Sequence, residues 1–155
     1  MTFAMLVTLA LRYLLVVLFF PFSLLDKILN FRGAVGQAKE ITSSGAIATG
    51  LILVGMAIEL FMPIAILTGY ADRAAAFVMA GYCMMTALLF KRFWHPGDFW
   101  RGGDSQGRTL FWDFLKNFSL AGGFQLITFG TTSAEAPRVL QDPFSSSQPY
   151  AQVNQ

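Results

Sequence analysis

Apolar residues along this chain gather into four runs, separated by short polar breaks. The first extends from about 3 to 25, with Arg12 as its single charge. The second covers about 46–67 and holds Glu59 and Pro63. The third, about 74–90, carries no charge. The fourth, about 110–130, has Asp113, Lys116 and Asn117 in its opening turns. A membrane-crossing helix needs roughly 20 mostly apolar residues, so each run predicts one span. The expected fold is all-α, a transmembrane four-helix bundle. No basic residue precedes the first run, Arg12 interrupts it, and it ends in Leu24-Leu25-Asp26-Lys27 without a small-residue cleavage site. It is therefore expected to stay as a helix, not to be removed as a signal peptide.

The breaks set the connections. Asn30 to Gly45 is a polar link whose Thr42-Ser43-Ser44 cluster can cap the second helix. Thr68 to Arg73 is so short that helices two and three must be antiparallel neighbours. Lys91 to Thr109 interleaves Phe93, Trp94, Phe99 and Trp100 with Lys91, Arg92, Arg101 and Arg108. Rings beside basic groups suit the headgroup layer, so an interfacial aromatic and basic loop is expected between helices three and four. Residues 131–155 are rich in Ser, Thr, Gln and Pro and show no apolar period. Such a tail is expected to be ordered only by a partner.

Composition sharpens the class. Of 155 residues, 55% are hydrophobic and 13% charged, with 16 Phe. That excludes a disordered chain, and a net charge of +2 gives no reason to expect nucleic acid. The basic residues Lys27, Arg32, Lys39, Lys91, Arg92, Arg101 and Arg108 all fall in loops 26–45 and 91–109. Those loops are expected on the cytoplasmic side and both termini outside. One cysteine, Cys83, and one histidine, His95, leave no dithiol, no metal-ligating set and no paired haem ligands. Cys83 reads as a small hydrophobe, and Met79, Met84 and Met85 as packing or lipid contacts. Gly50, Gly55, Gly122 and Gly123 read as close approaches between helices.

Polar groups inside apolar runs are the candidate chemistry, because charge in a bilayer persists where it is paired or faces protein. At 1.5 Å per residue, Arg12 and Glu59 both lie roughly 12 Å from the outer helix ends, which predicts an Arg12–Glu59 ion pair. A second cluster, at the inner side, comprises Asp26, Lys27, His95, Asp113, Lys116 and Asn117, with an Asp113–Lys116 pair available at i, i+3. Two readings of these groups stay open. One is ion pairs that fix helix register; the other is a quinone headgroup site or proton relay.

Several stretches in order resemble the DoxX family of small four-helix membrane proteins. Leu11-Arg12-Tyr13 followed by Leu25-Asp26-Lys27-Ile28 is similar to that family's first helix, with Ser23 or Leu24 where a glycine is usual. Glu59 stands at the family's helix-two glutamate, though Leu60-Phe61-Met62 follows it in place of glycines. Ala71-Asp72-Arg73-Ala74-Ala75, His95-Pro96-Gly97-Asp98-Phe99-Trp100, and Phe114-Leu115-Lys116-Asn117 with Ala121-Gly122-Gly123 continue the match. The resemblance covers about residues 8–130. It implies a protein of the bacterial inner membrane that works as an accessory subunit. Other integral membrane subunits of a respiratory or photosynthetic complex would be its partners, beside the lipid bilayer. The alternative it implies is the quinone-interacting membrane subunit of a thiosulfate:quinone-type oxidoreductase. No cofactor is then bound by this chain alone, with a quinone or a lipid as the candidate ligand. A small-solute carrier is a weaker third reading, because no repeat or broken helix is evident.

Overall fold

The computed structural model describes residues 2–151; residues 152–155 of the tail expectation lie outside the described residues. Among the described residues every regular element is helical: α1 (Phe3–Val16), a π-helical turn (Leu18–Ser23), α2 (Leu24–Leu29), α3 (Phe31–Ala38), α4 (Gly45–Thr68), α5 (Asp72–Phe90), α6 (Gln106–Phe129) and α7 (Ala136–Gln141). Three helical stretches are long and apolar enough to cross a membrane: Phe3–Leu29, Gly45–Thr68 and Asp72–Phe90. The 24-residue α6 completes the four-helix bundle expected from the sequence.

The first span differs from its expected form. Pro21 lies inside it and Phe20 leaves helical geometry. Proline has no N–H to donate and its ring crowds the preceding turn, so the helix opens into a wide turn and resumes as α2. The displaced Phe19 is buried. Its ring meets Tyr82 edge-on at 6.2 Å and Phe124 at 6.0 Å.

Helix α5 is the centre of the bundle. It buries Ala75, Ala76, Met79, Ala80, Cys83 and Ala87. Small side chains let backbones approach closely, which drives helix association where lipid offers no hydrophobic force. Against this face α6 lays Ala121, Phe124 and Thr128, and α4 lays Ile66. Met79 and Cys83 are thus packing residues, while Met85 faces outward.

The α4–α5 link is as tight as its length predicts. Gly69 closes α4 at φ 79°, and Ala71 precedes α5 at φ 47°. A Cβ on Gly69 would meet Pro149 Cγ at 2.9 Å. Gly69→Ala is therefore expected to cost about 1–2 kcal/mol in backbone conformation alone and to lift the tail from this corner. Thermal unfolding in detergent measures the first effect, and proteolysis of the tail the second.

Two segments read as irregular carry helix. The polar link after Asn30 contains α3, with Ser44 accepting the Ile47 N–H at 3.4 Å to cap α4. The tail contains α7 and is bonded to the bundle. Ser147 bonds to Arg12 and Asp72, and the Tyr150 hydroxyl donates to the Leu67 carbonyl. A polar segment needs no apolar period to dock when its hydroxyls reach a buried carboxylate.

The loop after α5 is a compact aromatic knot. Phe93 meets Trp94, Phe111 and Phe114 edge-on, with centroids 5.0–5.4 Å apart. Asp98 fixes the knot to the start of α6: its carboxylate accepts the N–H groups of Gly107 at 2.8 Å and Gln106 at 2.9 Å. Those bonds hold its carboxyl below the usual carboxylate range. A depressed folded-state value contributes stability that is present above the unfolded value and lost as pH falls through the folded one. The chain's three tryptophans, Trp94, Trp100 and Trp112, all lie at this end. Tryptophan fluorescence is thus expected to hold steady as pH falls through about 3.9, the unperturbed Asp value, and to change only in stronger acid. Asp98→Ala should remove that acid step.

Candidate functional site

Glu59 is a buried charge near the middle of α4. Its partner is not Arg12. Lys27 Nζ from α2 reaches Glu59 Oε1 at 2.8 Å and Oε2 at 3.0 Å. Ser23 Oγ, on the turn before α2, donates to Oε1 at 2.9 Å, and the Tyr82 hydroxyl from α5 donates to the same oxygen at 2.9 Å. Lys27 also donates to Ser23 Oγ at 2.6 Å, one helical turn back. Gly55 makes room: a Cβ there would meet the Tyr82 oxygen at 3.2 Å. One carboxylate thereby ties three spans together, with lysine, serine and tyrosine as donors.

Access to this cluster is one-sided. The Glu59 side chain is 2% exposed and the Lys27 side chain 19%. Lys27 is the more open of the two, and its ammonium turns inward to Ser23 and to both Glu59 oxygens.

Arg12 belongs to a separate network. It donates to Asp72 Oδ2 at 2.7 Å and to the Ile66 carbonyl at 2.6 Å, and its other terminal nitrogen reaches Ser147 Oγ at 2.6 Å. Asp72 is fully buried and also accepts the Ser147 N–H at 2.7 Å. The expected Arg12–Glu59 pair is corrected for a geometric reason. Arg12 is level with Ile66, and Glu59 lies seven residues further in, about 10 Å along α4. Matching depths from the ends of apolar runs left a register error of that size.

The expected inner cluster does not assemble as one site. Lys27 is engaged by Glu59. Asp113 pairs with Lys91 at 3.1 Å and with Lys116 at 3.3 Å, the latter at i, i+3 as the spacing allows. Asn117 donates to the Asp113 carbonyl at 2.9 Å. Asp26 and His95 are exposed and bond to none of these among the described residues.

Four residues of these two networks are not among the polar candidates that the sequence offers: Ser23, Asp72, Tyr82 and Ser147. For Tyr82 a signal was present. It lies ten residues into α5 and Glu59 nine residues before the end of α4, so both are roughly 14 Å from the same corner. The absence of charge in the third run hid its one phenol at that depth.

Among known proteins, neither the curated sequences nor the solved structures give a match to this chain. The family model named DoxX matches residues 7–92, from within α1 to just past α5. That span contains Arg12, Ser23, Lys27, Glu59, Asp72 and Tyr82, every bundle residue of the two buried networks. With more than half of its length matched in this way, the chain belongs to the DoxX family.

Proposed function

We propose that this chain is an integral membrane accessory subunit with no chemistry of its own, packed against other membrane subunits of a bacterial energy-converting complex. The observation that carries this reading is the engagement of Glu59 from two neighbouring helical segments. Its two oxygens take four hydrogen bonds from Lys27, Ser23 and Tyr82. A carboxylate held so fully clamps α2, α4 and α5 in one register, which is the use best attested for buried polar groups. The outside of the bundle supports the same reading. Phe3, Leu11, Leu14 and Leu18 on the first span, and Leu51, Val54 and Phe61 on α4, point outward, where close packing with neighbouring helices supplies association. The basic loops 26–45 and 91–109 favour a cytoplasmic position in the inner membrane, with both termini outside.

Extraction of the tagged chain from its native membrane in mild detergent, followed by native mass measurement, tests this. Recovery in fixed stoichiometry with other integral subunits is expected. Recovery as a monodisperse lone chain contradicts it.

One observation favours a second reading, that of a quinone-interacting subunit. Lys27 is the partly open member of the buried cluster, and its ammonium would reach a quinone carbonyl by exchanging one of its bonds to Ser23 or Glu59. In that case a quinone analogue would protect the chain against unfolding, and Lys27→Met would abolish the protection.

A further inference from the structure

The tail and the corner where α5 begins enclose a cleft of about 310 Å³. Two arginines face into it. Arg73 is only 5% exposed and sits on the first turn of α5, and Arg138 reaches in from α7. Arg73 directs one terminal nitrogen to the Thr128 carbonyl at 2.9 Å. Its remaining N–H groups, and the whole guanidinium of Arg138, bond to nothing among the described residues. Neither arginine has an acidic partner there. The Ser146 hydroxyl accepts the Gln148 N–H at 2.9 Å, which leaves its own proton free to donate.

The opposing charge in the wall is Asp142. One of its oxygens accepts the Phe144 N–H at 3.2 Å, so it is turned partly to its own loop. Two guanidinium forks against one engaged carboxylate leave the cleft cationic. Gln148, also in the lining, sits at φ 51°, a conformation that costs energy in a non-glycine residue and concentrates at functional sites. Guanidinium forks match the oxygens of a phosphate in charge and in plane.

We propose that this cleft binds a phosphate group, held by Arg73 and Arg138 with Ser146 as a further donor. The phosphate can be that of a lipid headgroup or of a free anion. The neighbouring Leu140 and Phe144 side chains, 84% and 73% exposed, give acyl chains a place to lie in the first case.

The purified chain in phosphate-free, delipidated detergent is titrated with inorganic phosphate by calorimetry, and with phosphatidylglycerol by native mass spectrometry. Arg138→Gln is the main variant, because its exposed guanidinium supports no bond among the described residues. Arg73→Lys is the second; it keeps a donor for Thr128 but loses the fork. Binding of either ligand that weakens at least tenfold in Arg138→Gln, with an unchanged melting temperature, is the expected result. Loss on the phosphatidylglycerol arm alone identifies a lipid site, and loss on the phosphate arm a free-anion site. Binding of neither ligand, or binding that both variants retain at the wild-type level, overturns the proposal.

Discussion

Replacing Lys27 with Met is expected to destabilise the bundle by about 3–5 kcal/mol, the usual range for removing one partner of a buried ion pair. The Glu59 carboxylate is almost wholly enclosed and would be left with only the hydroxyls of Ser23 and Tyr82. Glu59→Leu should cost less. It orphans an ammonium whose long stem can carry the charge outward, and Ser23 remains beside it at 2.6 Å. The asymmetry is the informative part, because two exposed partners would give small and equal effects. Thermal unfolding of both variants in the same detergent measures it. A Lys27→Met protein as stable as wild type would mean that the ion pair does not form in the folded chain.

Asp72→Ala is expected to cost a similar amount, about 3–5 kcal/mol, with a second consequence. Asp72 joins the Arg12 guanidinium to the Ser147 backbone and hydroxyl. Its removal leaves Arg12 with the Ile66 carbonyl and a serine, and leaves the tail without its deepest anchor. The described part of the tail should then become sensitive to protease while the helices still resist. Ser147→Ala separates the two effects. It keeps the Arg12–Asp72 bridge at 2.7 Å and the backbone bond from residue 147 to Asp72, so it should loosen the tail only in part and lower stability by only about 1–3 kcal/mol, the cost of a lost buried hydrogen bond. Limited proteolysis read beside the melting temperature checks both variants. A tail equally protected in wild type and Asp72→Ala would contradict the docking described above.

The fold was legible because bilayer chemistry writes itself in run length. Four apolar stretches, a short α4–α5 link and an aromatic, basic loop are each consequences of the solvent in which the helices sit. Pairing was less legible, because it depends on register. An apolar run locates a helix end to within a turn or two, and one turn is 5.4 Å, enough to exchange one carboxylate for another. Depth along the apolar runs thus matches Arg12 to Glu59, whereas it meets Asp72. Position along the chain groups Lys27 with His95 and Asp113, whereas it reaches Glu59. The tail illustrates a different limit. Ser147 is one serine in a polar stretch, and only the buried carboxylate opposite it, Asp72, gives it a place. Asp113 with Lys116 was readable because i, i+3 geometry is local and needs no knowledge of the neighbouring helix.

Whether the buried pair clamps or reacts is the question on which the functional reading turns. The most direct measurement is on the double variant Lys27→Met with Glu59→Leu, expressed in the native membrane and assayed as the assembled complex. Apolar replacement of both partners of a buried pair is often neutral or stabilising. The account predicts wild-type amounts of assembled complex with electron transfer to quinone unchanged. A complex that assembles at the wild-type level and no longer passes electrons to quinone would contradict it, and would make Lys27 and Glu59 part of the reaction path.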